Sequence, residues 1–155
     1  TLGYANGNEI LTLLTSRLSA EANEIENAIV IEKTESNTQC IANAEGTTFA
    51  FAVPLKSEFE AVNYAGRIVQ TVEYPFEFQQ MTLEIESCVG IAVYPDHGTD
   101  VDELLRNAQI ALDITSSSNE KAVMYSPSID PYRAKRLSLT GEFRHGIESD
   151  SLALP

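Results

Sequence analysis

The sequence has no tryptophan, only two cysteines and few basic side chains. Cys40 and Cys88 form at most one pair and show no CxxC spacing, so a disulfide framework and a zinc site are both disfavoured. Ten Lys and Arg residues stand against 23 Asp and Glu, which gives a net charge of −13. Nucleic acids and anionic membranes both attract cationic surfaces, so we expect neither as a direct partner.

Long apolar runs are also missing, and no signal peptide opens the chain. These absences predict a cytoplasmic, reducing location with both thiols reduced, although a longer parent protein can still be anchored in a membrane elsewhere. The first residues, TLG, and the last, SLALP, read as the interior of a longer chain. We therefore expect an excised piece of a larger protein.

Apolar spacing in the first half predicts a helix from Gly7 to Ala20, with Asn6 as N-cap in a capping box with Glu9. Short strands are predicted at 28–31, 39–43 and 49–53. The residues 45–48 between the last two strands predict a turn centred on Gly46.

The second half alternates two further helices with strands. A capping box at Ser57 predicts a helix to Glu73, and Asp100 caps the next one. Strands are predicted at 81–86, at 88–94 with Cys88 buried, and at 122–125. Asp130 is predicted to cap a final helix. Each of these helices has a predicted core face. The residues are Phe59, Val62, Ala65, Val69 and Val72 in the helix that begins at Ser57, Val101, Leu104, Leu105, Ala108, Ala111 and Leu112 in the helix capped by Asp100, and Leu139, Phe143 and Ile147 in the final helix. This order indicates an α+β fold, with helices against a mostly antiparallel sheet.

The turn at Gly46 is the stretch of greatest functional interest. A glycine turn at the head of an apolar strand lets a backbone approach a phosphate or a metal, and that chemistry needs carboxylates at the tip. Here Thr47 and Thr48 stand where acids would serve. They are either structural turn residues or the lining of an altered ligand site. His97 lies in a loop between Pro95 and Gly98, and His145 has no second ligand nearby in sequence, so both predict structural or solvated roles.

From Thr1 to Tyr125 the chain resembles a GGDEF domain, the diguanylate cyclase module. The stretches that carry the resemblance are TLGYANGNEIL, the strand from Phe49, YPFEFQQMTLEIESCVGIAVYP and DVDELLRNAQIALDITSSSNEKAVMYSP. The tail RLSLTGEFRHGIESDSLALP is similar to the helix that leads from a GGDEF domain into an EAL phosphodiesterase domain. The resemblance implies a ferredoxin-like, nucleotidyl-cyclase palm-type topology whose N-terminal strand, with a metal-binding Asp, is missing from this chain. It also implies a GGDEF-like domain over 1–126, followed by a linker and helix over 127–155.

In that family two GTP-loaded domains face each other, and each ribose hydroxyl attacks the other α-phosphate to form cyclic di-GMP. Metal ions held by carboxylates neutralise the phosphates. The signature aligns with Glu45, Gly46, Thr47, Thr48 and Phe49, of which only Gly46 and Phe49 match. Both acids are replaced by threonine, and Glu45 places a negative charge where a triphosphate approaches.

Other positions of the family's site also differ. Asn8 stands where the family has a base-recognising Asp, so Asn8 and Gly46 are the remaining weak candidates for nucleotide binding. The position of Asn6 and Asn8 favours residues of a helix start over readers of guanine. Ser116 replaces a phosphate-binding Lys, and the inhibitory RxxD site aligns with Ser36 to Gln39, which keep neither the Arg nor the Asp.

The resemblance therefore predicts a catalytically inactive, degenerate GGDEF domain without metal or cofactor. It would regulate an adjoining EAL phosphodiesterase domain in bacterial cyclic di-GMP signalling and possess a face for homodimer formation. The alternative is a GTP-binding allosteric sensor without turnover, which would bind GTP and Mg²⁺. An active diguanylate cyclase is the third and least favoured reading.

Overall fold

The computed structural model describes residues 3–24, 32–33, 38–39 and 41–132. Its elements are α1 (Gly3–Asn23), β1 (Glu32–Lys33), β2 (Thr38–Gln39), β3 (Ile41–Glu45), β4 (Thr48–Phe51), α2 (Glu58–Glu73), β5 (Phe76–Phe78), β6 (Met81–Leu83), β7 (Val89–Ile91), α3 (Val101–Thr115), β8 (Ala122–Met124) and a 3-10 turn (Pro127–Ile129). The α+β class is thus confirmed. None of the described helices is both long and apolar enough to cross a membrane.

The strands form four two-stranded sheets. Three are antiparallel pairs of consecutive strands, β1–β2, β3–β4 and β5–β6. In the fourth, the Val89 N–H donates to Lys121 O and the Tyr125 N–H donates to Ile91 O. The residue numbers rise together along both strands, which is the pattern of a parallel pair, and α3 is the crossover that a parallel pair needs.

The described chain divides into two compact units, residues 1–89 with 120–122, and residues 90–119 with 123 onward. In the first unit, α1, β3 and α2 surround one apolar cluster. Its buried members are Leu14, Leu18, Ile41, Tyr64, Ile68 and Val72, with Phe49, Phe51 and Val89 packed against them. In the second unit, Ile110 and Ala111 of α3 pack with Val123 and Tyr125 at β8.

The first helix is longer than its sequence pattern predicts. It begins at Gly3, so Asn6 lies inside the helix, and its predicted N-cap role is wrong. The Asn6 Oδ1 instead accepts a hydrogen bond from Gln79 Nε2 at 3.3 Å. Further along α1, Arg17 donates to the carbonyl oxygen of Tyr74 at 2.6 Å and lies over the Phe76 ring at 4.9 Å. This arginine ties α1 to the C-terminal end of α2 and the start of β5.

The start of α2 was predicted correctly, but part of its core face was not. The Ser57 side chain accepts a hydrogen bond from the Glu60 N–H, as an N-cap does. Phe59, a predicted core residue, is 74% exposed, and Val62 is also exposed. Phe59 precedes the buried Ala61 by two residues, or about 200° of helix rotation, which places it on the opposite face. The buried face instead includes Tyr64 and Ile68.

Similar corrections apply from β7 onward. Cys88 precedes β7 and is exposed, so its predicted burial is wrong, and β7 itself comprises only three half-buried residues. Asp100 caps α3 as predicted, since its Oδ1 accepts from the Glu103 N–H at 2.8 Å. Val101 and Leu105 are exposed, however, and the buried face includes Asn107. The predicted strand at 28–31 and the final helix beyond residue 132 lie outside the described residues.

A partly buried ion pair stabilises the first unit. Glu73 accepts hydrogen bonds from Lys121 Nζ at 2.6 and 2.7 Å and from the Ser87 N–H at 3.1 Å. The Lys121 bond, followed by the Ser87 bond, holds the pKa of Glu73 below its ordinary value of 4.5. The hydrogen bond from Glu73 raises the pKa of Lys121 above 10.5. A carboxyl with a lowered folded-state pKa contributes stability above pH 4.5, and that contribution disappears as the pH falls through the folded-state value. The lysine contribution is present below pH 10.5 and disappears as the pH rises through its raised value.

We therefore expect Lys121→Met to lower the melting temperature by a few degrees at neutral pH, because a partly exposed pair contributes modestly. The difference from the wild type should shrink as the pH falls below 4.5 and through the lowered pKa of Glu73, because a protonated Glu73 no longer pairs with Lys121. Thermal unfolding followed by circular dichroism at several pH values measures this. Lys56→Met, at an exposed lysine before α2, controls for the loss of one positive charge from an acidic protein. A Lys121→Met deficit that stayed constant through the protonation of Glu73, followed by NMR in the same samples, would contradict the assignment.

Candidate functional site

The candidate site is the tip of the β3–β4 hairpin. Glu45 ends β3, Thr48 begins β4, and the two residues pair across the strands. The turn is therefore Gly46–Thr47 alone, tighter than the four-residue turn that the sequence predicts. The strand that follows runs from Thr48 to Phe51, so it begins one residue earlier and ends two residues earlier than predicted.

Local chemistry explains why the chain reverses direction here. Gly46 has a φ of 53°, in the left-handed region where a side chain is disfavoured. The Asn43 Nδ2 donates to the Gly46 carbonyl oxygen at 3.0 Å, and the strand register shifts between Asn43 and Glu45. The bulge and this side-chain bond fix the tip, and a bulge is a common way to re-aim the end of a hairpin.

The base of the hairpin is anchored in the core. Ile41 at the start of β3 is 1% exposed and belongs to the same buried cluster as Leu14 and Leu18 of α1. Phe49 and Phe51 of β4 pack against that cluster. The hairpin therefore holds an exposed polar tip on a buried apolar base.

Glu45 is the charged side chain among residues 45–48 at the tip. Glu45, Gly46 and Thr47 are exposed, and Thr48 is half-buried. A magnesium–triphosphate group is held by carboxylates and by nearby positive charge, and two hydroxyls with one exposed carboxylate do not fit it. Among the described residues, no three His, Cys, Asp or Glu side chains cluster as a metal site would require.

The other predicted site residues lie on separate elements. Asn8 lies on α1 with an exposed side chain, and its carbonyl oxygen accepts from Thr12 Oγ1 at 2.9 Å. Gln39 is in β2, where it pairs with Glu32, whereas Ser36 lies outside the described residues. Ser116 is the C-cap of α3, in the second unit. Of the predicted set, the residues that the structure joins in one element pair are those of the β3–β4 hairpin.

Sequence reasoning missed the support behind the tip. Asn43 precedes Gly46 by three residues, and an Asn at that spacing from a glycine turn is a usable signal for a side-chain bond to the turn. The register shift between Asn43 and Glu45 was not predicted from the sequence.

An α+β domain with a glycine-turn hairpin packed on its first helix defines the structural class, and the family follows from the sequence comparison. A family described as "Diguanylate cyclase, GGDEF domain" matches residues 1–121. The chain therefore belongs to the GGDEF family, as its motifs predict.

Curated relatives match most of the chain at low identity. Cyclic di-GMP phosphodiesterase NbdA of Pseudomonas aeruginosa is 23% identical over 155 residues, covering 99% of this chain and 18% of that protein. The bifunctional diguanylate cyclase/cyclic di-GMP phosphodiesterase MucR of the same species is 23% identical over 129 residues, covering 81% of the chain and 19% of that protein. Cyclic di-GMP phosphodiesterase PdeR of Escherichia coli is 24% identical over 117 residues, covering 75% of this chain and 18% of that protein. The chain thus spans about a fifth of the length of each relative.

Proposed function

We propose that this GGDEF domain has no cyclase activity and acts as a regulatory and interaction module for an adjoining EAL phosphodiesterase domain. Membership of the GGDEF family, together with relatives named as cyclic di-GMP phosphodiesterases, supports a role in cyclic di-GMP signalling. The finer assignment rests on one observation, the chemistry of the hairpin tip.

That chemistry opposes nucleotide turnover at two points. Thr47 and Thr48 carry neutral hydroxyls where the family's metal-binding acids lie, and a hydroxyl alone is a poor ligand for Mg²⁺. Glu45 adds a negative charge at the exposed tip, which repels a triphosphate. A tip with these side chains keeps the hairpin but loses the charge balance that phosphoryl transfer needs.

The names of the relatives support the regulatory part of the proposal. NbdA and PdeR are named phosphodiesterases, and MucR is named as a bifunctional enzyme, each several times longer than this chain. We infer a GGDEF-like domain over 1–126, with residues 127–155 leading to an EAL domain in the same protein.

Homodimer formation is the second proposed interaction. We propose a cytoplasmic location for the domain, whether or not its parent protein is membrane-anchored. Mg²⁺ and GTP would be ligands only if residual nucleotide binding persists, with Asn8 and Gly46 as the candidate contacts.

We expect isothermal titration calorimetry with GTP and Mg²⁺ to show no heat of binding at about millimolar nucleotide. A Kd of about 1 mM corresponds to a binding free energy of only about −4 kcal/mol, so this range also detects weak binding. Chromatography of a long incubation with GTP should show no cyclic di-GMP. Thr47→Asp with Thr48→Glu restores two acids at the tip, and a gain of GTP–Mg²⁺ binding in that variant would show that the rest of the site is intact.

Two outcomes decide between the proposals. Heat of binding without cyclic di-GMP as product favours the alternative, a GTP-binding allosteric sensor. The domain would then still be regulatory, but it would respond to nucleotide. Cyclic di-GMP formed by the wild-type chain overturns inactivity outright. Glu45→Gln is the matched control, since it removes the tip charge without adding a metal ligand.

A further inference from the structure

His97 makes a reciprocal pair of hydrogen bonds within the loop between β7 and α3. Its backbone N–H donates to the Val93 carbonyl oxygen at 2.7 Å. In return, the Val93 N–H donates to the His97 Nδ1 at 3.0 Å. The carbonyl oxygen of His97 accepts a third bond from Asn107 Nδ2 at 2.8 Å. Asn107 is only 4% exposed, so the loop is attached to the buried face of α3.

The bond to Nδ1 fixes the charge state of the ring. A backbone N–H can only donate, so Nδ1 must present its lone pair, and the ring proton must be on Nε2. An imidazolium carries protons on both nitrogens and cannot accept a hydrogen bond. Protonation of His97 therefore replaces an attraction at 3.0 Å with two opposed donors.

The same ring contacts a second buried group. His97 packs edge-to-face against Tyr125, with ring centroids 5.6 Å apart. The Tyr125 hydroxyl donates to Asp130 Oδ2 at 3.0 Å, and Asp130 Oδ1 accepts from the Tyr132 N–H at 2.9 Å. Asp130 is 2% exposed. A continuous set of contacts thus joins the β7–α3 loop to the segment that begins at residue 130, all within the second unit.

We propose that His97 is a protonation-sensitive latch that fastens this loop when neutral and releases it when charged. Release would loosen the contact with Tyr125 and, through Asp130, the placement of residues 130–132. Histidine is the side chain that ordinarily changes charge between pH 5 and 8, which makes it the common proton-sensing residue of proteins.

Charged groups around the ring set the context for this switch. Asp100 and Glu103 at the start of α3 are occupied, since Asp100 accepts from the Glu103 N–H and Glu103 accepts from the Thr99 N–H at 3.0 Å. The titratable groups on the surrounding elements are Tyr94 and Asp96 in the loop, Asp100, Asp102, Glu103 and Arg106 in α3, and Tyr125, Asp130 and Tyr132 after β8. Carboxylates are the most numerous charged groups in this set.

The test is a pH titration of the whole chain by NMR, with hydrogen exchange at each pH expressed as a protection factor. We expect the protection of the Val93 amide to fall by up to tenfold for each pH unit as the pH approaches the midpoint of the His97 ring titration from above, because opening is then linked to the uptake of one proton. The Tyr132 amide should lose protection at the same midpoint. Val93 protection that stays constant through the ring titration would overturn the proposal.

Two histidine variants and the nitrogen chemical shifts of the ring show whether any loss of protection comes from His97. His97→Asn places an amide oxygen where Nδ1 lies, so it keeps an acceptor but cannot titrate, and its Val93 protection should not change with pH. His145→Asn, at the other histidine of the chain, should behave as the wild type does. If His97→Asn does not fold, the nitrogen shifts of the neutral wild-type ring decide the matter: a proton on Nδ1 overturns the latch, and a proton on Nε2 supports it. None of these readouts depends on nucleotide, so they are independent of the proposed function.

Discussion

Replacing Gly90 with alanine is expected to destabilise the second unit by about 3 kcal/mol or more, at or above the upper end of what overpacking costs. A Cβ at this position would lie 2.1 Å from the Ala108 carbonyl oxygen and 2.5 Å from the Leu112 backbone nitrogen, both in α3. Backbone atoms inside a helix cannot rotate away as the end of a side chain can. The helix must therefore move off β7, and the buried contacts of Ile110 and Ala111 with the strand that follows α3 are disturbed.

Thermal unfolding of Gly90→Ala against Gly66→Ala isolates this effect. Gly66 lies in α2, where an added Cβ meets nothing within 4 Å. Alanine in a helix interior is favoured over glycine by roughly 0.5–1 kcal/mol, so the control should be slightly more stable than the wild type. Equal stability of the two variants would show that β7 and α3 are not packed as described.

The second large effect is expected at Ile41. Truncation to alanine removes the most buried side chain of the hairpin, and isoleucine-to-alanine changes in cores cost about 2–5 kcal/mol. The loss falls on the contact between β3 and the α1 residues Leu14 and Leu18. Urea unfolding measures it, with Leu13→Ala as the matched control because Leu13 is an exposed residue of α1.

The Ile41→Ala variant also tests how the tip is supported. The amides of the paired β3 and β4 residues should lose hydrogen-exchange protection along with the global stability if the hairpin depends on its buried base. A fall in stability no greater than that of Leu13→Ala would mean that Ile41 is not a core residue.

The helices were more predictable than their faces. The Ser57 and Asp100 caps depend on contacts three residues away, so sequence alone identifies them. Which side of a helix is buried depends on its neighbours. The apolar Phe59 is exposed, while the amide of Asn107 is buried because it reaches the carbonyl oxygen of His97.

The candidate site also has a part that the sequence predicts and a part that it does not. The turn at Gly46 and the side chains Thr47 and Thr48 could be read directly, because they are adjacent in sequence. Their role as a degenerate signature stays a prediction. The contacts of His97 with Tyr125 could not be foreseen, since the two residues lie 28 positions apart (125 − 97) and no local pattern joins them.

Arg17 has a consequence for the kinetics of folding. Its hydrogen bond to Tyr74 closes a loop 57 residues long, which contains the β3–β4 hairpin and all of α2. Closing a long loop costs entropy before its contacts form, so such pairings develop late, after local helices and hairpins. The hairpin can therefore form early as a local structure, but α1 is fixed to the end of α2 only at a later stage. A chain emerging from the ribosome must expose Tyr74 before that closure is possible, by which time both hairpin strands have already been synthesised.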